Sequence, residues 1–183
     1  MAEGSGASRP SCAIWFRKMA DLLRPITPAD SADMLRWRNA PHVRRHVFEQ
    51  DIIPDDAHRR WFDRMMADDT SAYFVFERDG QPCGIVGLTG IVSATGDAHW
   101  GFYTAPHAPK GSGTAMLSRA IDHAFGSMGL RQINAEVLDF NTASLRLHDK
   151  LGFVRTGLRQ GHQLGDGTFH DVVLFAKAKV TDP

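Results

Sequence analysis

The chain has 183 residues, and 21 Lys+Arg against 21 Asp+Glu leave no formal net charge, which argues against a nucleic-acid backbone or an anionic membrane surface as partner. Apolar residues make up 43% and charged ones 23%, the balance of one globular domain able to bury roughly two thirds of its unfolded surface, and no run approaches a membrane span. Two cysteines, Cys12 and Cys83, make no disulfide framework, so a reducing cytoplasm is the expected setting.

Residues 1–21 read as a flexible extension. Ala-Glu-Gly-Ser-Gly-Ala-Ser is coil-forming, the apolar run at Cys12 to Phe16 is too short for a signal-peptide core, and Met19 is a second candidate start. A single domain is expected over 22–179. It opens with a strand at 23–26, then a helix with Thr27 as N-cap and Pro28 at its first position, stopping near Pro41. A second segment covers 43–48, and a further helix begins around Asp51-Ile52-Ile53-Pro54 and carries His58, Trp61 and Phe62. Trp37 and Phe62 read as core packing. His42 and His46 are four apart, as helical metal ligands are, yet no third ligand accompanies them and Arg44 and Arg45 repel a cation, so no metal is expected.

Residues 73–78 and 82–88 flank Asp79-Gly80, a strong hairpin signal, and Thr95-Gly96-Asp97 turns the chain into a strand through Trp100-Gly101-Phe102-Tyr103. Lys110-Gly111-Ser112-Gly113 follows, and Leu117, Ala120, Ile121, Ala124 and Met128 then recur at helical spacing. A strand, a glycine turn and a helix N-terminus leave several backbone N–H groups converging on one spot, which suits a phosphate. The same pattern also occurs as a plain tight connection. The spacing is not that of a nucleoside-triphosphate loop. The third glycine of a dinucleotide fingerprint is missing too, since Ala115 and Met116 follow Thr114.

Residues 132–138 alternate: Ile133, Ala135 and Val137 face one way, Asn134, Glu136 and Leu138 the other. A carboxylate on such a strand needs work or a partner. Asn141 then caps a helix with Lys150 in its last turn and Gly152 just beyond, and a closing hairpin turns at Gly165-Asp166-Gly167. Strands, one strand–helix–strand–helix crossover and a hairpin make a mixed α/β sheet.

The glycine loop and Asn-x-x-Ser-x-x-x-His-x-Lys-Leu-Gly-Phe (Asn141 to Phe153) together resemble the GNAT superfamily of acyl-CoA N-acyltransferases. The resemblance implies an α/β GNAT fold, a mixed, mostly antiparallel sheet whose splayed central strands admit the pantetheine arm of acetyl-CoA. Lys110, Gly111, Ser112, Gly113, Thr114 and Ala115 would then hold the pyrophosphate, with Asn141 and Ser144 nearby. Backbone N–H groups at Phe102, Tyr103 and Thr104 would face the oxyanion, with Gly101 marking a bulge. Two departures stand out: Ala108 and Pro109 replace donors common at the head of the loop, and His148 occupies the position usual for an acidic tyrosine. A histidine near a helix C-terminus is favoured as a cation, so His148 is the expected proton donor for the thiolate; packing alone is the other reading. Glu136, through a water, is the favoured base and His99 the second candidate; either also reads as a satisfied structural polar group.

The N-terminal string, Trp-Arg-Asn, Val-Arg, Asp-Ile-Ile-Pro and His-x-x-Trp-Phe, resembles one branch of that family, the N-acetyltransferases of pseudaminic acid biosynthesis. By implication the acceptor is the 4-amino group of UDP-4-amino-4,6-dideoxy-N-acetyl-β-L-altrosamine, a nucleotide-sugar used for flagellin glycosylation. Arg38 and His58 would contact the diphosphate, with His46, Phe48, Trp61 and Glu136 beside the acceptor. A homodimer is compatible with this reading. The alternatives are a GNAT enzyme acting on a protein N-terminus or other small amine, and a non-catalytic acetyl-CoA-binding module.

Overall fold

The computed structural model describes residues 21–180; the expected extension over 1–21, with Cys12 and Met19, lies outside them but for Asp21. Strand β1 (Leu22–Pro25) leads through a 3-10 turn (Pro28–Asp30) into α1 (Ser31–Arg38), followed by the one-turn α2 (Pro41–Arg44) and by α3 (Asp55–Met66). A meander of β2 (Ala72–Arg78), β3 (Gln81–Val92) and β4 (Asp97–Thr104) precedes α4 (Ser112–Gly126), β5 (Gln132–Leu138) and α5 (Thr142–Lys150). The hairpin β6 (Val154–Gln163) and β7 (Phe169–Ala178) ends the sheet. The seven strands lie in the order β1-β2-β3-β4-β5-β7-β6, antiparallel except for β4 with β5. This is the mixed, mostly antiparallel sheet that the sequence reading anticipated.

Local chemistry explains the main joints. Asp79 and Gly80 both take positive φ (52° and 75°), as the tight turn of a two-residue hairpin requires. The expected N-cap at Thr27 instead opens the 3-10 turn: Asp30 accepts from both the N–H and the hydroxyl of Thr27 at 2.8 Å. Arg24 grips both oxygens of Asp30 at 2.8 Å and also reaches Glu77, tying β1, β2 and the entry of α1 together. This guanidinium, ahead of other causes, holds the Asp30 carboxyl down to about 2. The third helix starts at Asp55, after Pro54 ends an extended segment, rather than near Asp51.

Period-two alternation divides the meander between two layers. Phe74, Phe76, Val86 and Leu88 pack with α4 residues Met116 and Leu117 and with Ile133 and Phe175. Val75 and Ile85 point the other way, against Met34, Trp37, Phe62 and Met65 of α1 and α3. Trp37 and Phe62 are 2% and 4% exposed, so both are core, as the sequence reading held. A third, small cluster joins Leu138, Leu164 and Val172 to Phe48 and Phe140. Among the described residues no helix is long and apolar enough to cross a membrane.

The parallel pairing of β4 and β5 covers only Asp97↔Gln132, Ala98↔Ile133 and His99↔Asn134. Beyond it, β4 stays on β3 through Thr104, while β5 stays on β7 through Leu138, so the sheet opens into a V. Gly101 pairs regularly with Gly87 and marks no bulge; the irregularity of this strand pair falls between Thr89 and Val92. What Gly101 supplies is space, since a Cβ there would meet nothing within 4 Å.

Candidate active site

The opening of the V is the mouth of a cavity of about 1100 Å³. Its walls come from β4 between His99 and Thr104, β5 between Ala135 and Leu138, the loop 108–113 and the segment from α1 to α3, with further lining from β2, β3 and α5. Because β4 residues alternate, Trp100 and Phe102 belong to the α4–α5 layer, while His99, Gly101 and Tyr103 share the α1–α3 face. Glu136 projects from the side of β5 opposite Ile133, Ala135 and Val137, which are all in the core. The cavity thus has one end at the glycine loop and another beneath α1 and α3.

At the loop end, Gly111 caps α4 in the left-handed region (φ 88°). Its missing Cβ leaves open space, and the N–H groups of Gly111, Gly113 and Thr114 have no acceptor within the described chain. These orphan donors at the positive end of a 15-residue helix form a fitting cradle for a pyrophosphate. Lys110 is exposed beside them. Two expected members differ. Ser112 is 1% exposed, receives a hydrogen bond from Arg78, and gives its N–H to Pro109 at 3.0 Å. Ala115 makes the first helical bond, to Gly111, and packs on the core. Both support the loop instead of offering it a donor. Thr114 and Ala115 also lie off the cavity wall.

Asn141 caps α5 by accepting the N–H of Ser144 at 3.1 Å, and both residues line the cavity. One turn on, His148 overturns the proton-donor expectation. It is 1% exposed and stacked on Phe175 at 5.0 Å, with Phe153 against it. Its Nδ1–H donates to the Ser144 carbonyl at 2.8 Å, and its Nε2 accepts from the Trp100 indole at 3.1 Å. With one ring nitrogen a donor and the other an acceptor, the imidazole is neutral. Burial pushes its pKa below the ordinary value, and this outweighs the favourable hydrogen bond to Ser144. The helix dipole that would favour a cation is overridden by desolvation.

The end beneath α1 and α3 gathers most of the expected substrate residues. Arg38 lines it, with Nη2 on the Glu49 carbonyl at 2.8 Å and Nη1 buried with no partner. Burial, before any neighbouring charge, lowers its pKa. His46, Phe48 and Trp61 line the same space. His46 donates Nδ1–H to the His42 carbonyl, and His42 in turn meets the Thr104 carbonyl at 3.3 Å. His58 also lines the cavity, but it is 5% exposed and its Nε2 binds Ser31 through the carbonyl at 3.0 Å, so it pins α3 to α1 and offers no free Nε2 to a diphosphate. Among the described residues no group of three His, Cys, Asp or Glu gathers to hold a metal.

Of the two bases considered, Glu136 has both oxygens engaged by Arg159, at 3.0 and 2.8 Å. His99 is exposed at the point where β4 and β5 part, and its imidazole makes no hydrogen bond within the described chain. The sequence reading missed Trp100, Asn39 and Arg159. Trp100 lies 48 positions from the histidine it binds, so no local signal could pair them. Asn39 exchanges two 2.9 Å hydrogen bonds with the backbone of Ile53, holding the extended segment over the cavity. Its only signal was its place in Trp-Arg-Asn.

The family model of the acetyltransferase (GNAT) domain matches residues 22–154. The chain belongs to the GNAT acetyltransferase family. This GNAT protein is accordingly an acetyl-CoA-dependent N-acetyltransferase. It is 25% identical over 134 residues to the acetyltransferase PseH of Campylobacter jejuni, covering 72% of this chain and 83% of that one. Its fold matches a spermidine N-acetyltransferase from Vibrio cholerae in complex with CoA and spermine, with TM-score 0.80 and 23% identity over 86% of this chain and 95% of that one. Mycobacterium smegmatis RimJ in complex with CoA-disulfide matches with TM-score 0.75 and 25% identity, over 86% and 81% of the two chains.

Proposed function

We propose that this GNAT enzyme acetylates the 4-amino group of a UDP-linked 4-amino-4,6-dideoxy sugar, the altrosamine derivative of pseudaminic acid synthesis for flagellin glycosylation. The observation that carries the reading is the buried, unpartnered Nη1 of Arg38 in the acceptor wall. A half-desolvated guanidinium with a donor to spare wants an anion, and a diphosphate supplies one. Phe48 and Trp61 give flat apolar surface for a base or a deoxy sugar. The carboxylate that would draw a polyamine, Glu136, is already neutralised by Arg159. The similarity to PseH points the same way.

In this reading the loop amides of Gly111, Gly113 and Thr114 hold the pyrophosphate of acetyl-CoA, and the thioester lies in the V beside β4. The amine nitrogen bonds to the acetyl carbon and loses a proton to His99 through a water. Backbone N–H groups that face the V from the stretch of β4 between Phe102 and Thr104, paired with β3 but not with β5, stabilise the oxyanion. The C–S bond then breaks, and the thiolate takes its proton from solvent, because the neutral, fully bonded His148 has none to give.

The test is a thiol-release assay with acetyl-CoA against UDP-linked 4-amino-4,6-dideoxy sugars of altro, gluco and galacto configuration, with N-terminal peptides and spermidine alongside. Turnover confined to the altro sugar is the expected result. Turnover of peptides or spermidine alone overturns the acceptor assignment, and acetyl-CoA binding without any turnover favours the binding-module alternative.

A further inference from the structure

Glu136 lines the cavity from β5, and the guanidinium that covers it comes from β6. Strand β7 lies between those two strands, so Arg159 reaches across a whole strand to grip both carboxylate oxygens. Its carbon also stands 5.9 Å from the centre of the Phe48 ring, whose edge meets His162 at 5.0 Å. Phe48 belongs to the extended segment that hangs over the acceptor end from the opposite arm of the V. One side chain therefore neutralises a cavity carboxylate and braces the roof above it. Lysine could not do this, because a point charge cannot hold two oxygens in parallel.

We infer that Arg159 is a specificity-determining residue that excludes cationic acceptors. Without it, the cavity would present Glu136 as an open carboxylate at the acceptor end, the group that a second ammonium of a polyamine needs. With it, a polyamine must displace a bidentate partner before Glu136 can receive it, whereas an anionic acceptor meets Arg38 and a neutralised wall. The other acid on this wall, Glu49, is exposed at the rim and gives its carbonyl to Arg38. Arg159 acts here by exclusion, through Glu136, and is a positioning residue. The inference rests on the assignment of Glu136 to the acceptor end and not on the identity of the sugar.

Calorimetric titration of spermidine into the CoA-bound enzyme reads the effect without turnover. Arg159→Met is expected to tighten spermidine binding about fivefold, the span of a partly exposed ion pair. Adding Glu136→Gln to that variant is expected to erase the gain. Wild-type protein that binds spermidine as tightly as R159M, or a gain that survives in the double variant, overturns the inference. Should R159M not fold, Arg159→Lys loses the two-oxygen grip while keeping the charge, and is expected to tighten binding in the same direction by less; no change overturns the inference. Failure of the nucleotide-sugar reading would appear separately, as no thiol release with the sugar by wild-type enzyme.

Discussion

The Trp100 indole N–H donates to His148 Nε2 at 3.1 Å across the root of the V, joining β4 to α5, the helix that follows the neighbouring strand. This buried bond at the cavity wall gives the histidine a structural tie in place of proton donation. His148→Phe strands the indole N–H and should lower stability by about 1–3 kcal/mol. His148→Gln, whose side-chain oxygen can still accept, should recover most of it. Chemical denaturation of both variants checks this, and neither should lose acetyl-CoA binding.

The same burial sets a pH dependence. Since burial holds the folded pKa of His148 below the ordinary 6.5, the unfolded chain binds a proton that the folded chain refuses. Its contribution is full above 6.5 and declines as pH falls below it. Melting temperature should fall on acidification through this range, and less steeply in His148→Gln. Asp30 acts in a lower window: its stabilisation is present above its ordinary 3.8 and is lost as pH falls towards 2. Asp30→Asn should flatten that second decline.

Gly111→Ala tests the phosphate cradle. The residue sits at φ 88° with open space around it, so the substitution meets strain and no clash, costing about 1 kcal/mol. The added methyl also holds a phosphate away from the loop amides. Acetyl-CoA affinity should fall about tenfold or more, read by calorimetry, while the Michaelis constant for the acceptor changes little.

Arg38→Ala should raise the Michaelis constant of an anionic acceptor about tenfold and spare that of acetyl-CoA. Equal effects on both substrates would remove Arg38 from the acceptor site. His58→Asn, by contrast, should lower stability through the lost tie to Ser31 and leave the acceptor constant nearly unchanged.

His99→Ala should lower kcat roughly a hundredfold and leave acetyl-CoA affinity unchanged, as loss of a general base does. A variant with wild-type turnover would return the base to Glu136 or to solvent.

Much of the fold was legible because its signals are local. The Asp79-Gly80 turn, the alternation of β5, the cap at Asn141 and the glycine after α5 each depend on a few adjacent residues, and each forms where expected. The start of α3 and the supposed bulge at Gly101 were less legible. A proline sets the first by restricting its neighbour, while register across β3 decides the second. Within the site, Gly111 and Gly113 were readable from spacing, whereas Ser112 and Ala115 shared the motif but serve as support, because their N–H groups are spent on the carbonyls of Pro109 and Gly111.

The sequence by itself determined the α/β sheet and the glycine turn at the head of α4, since these follow from periodicity and capping along the chain, and its paired motifs carried the resemblance to the family. Only the tertiary structure decided the states of the polar side chains. His148 is neutral because Trp100, 48 positions away, occupies its lone pair. Glu136 is covered because Arg159 crosses a strand to reach it. His58 is tied because α1 folds against it. Protonation and availability depend on burial and on partners remote in sequence, and those exist only once the sheet has closed around them.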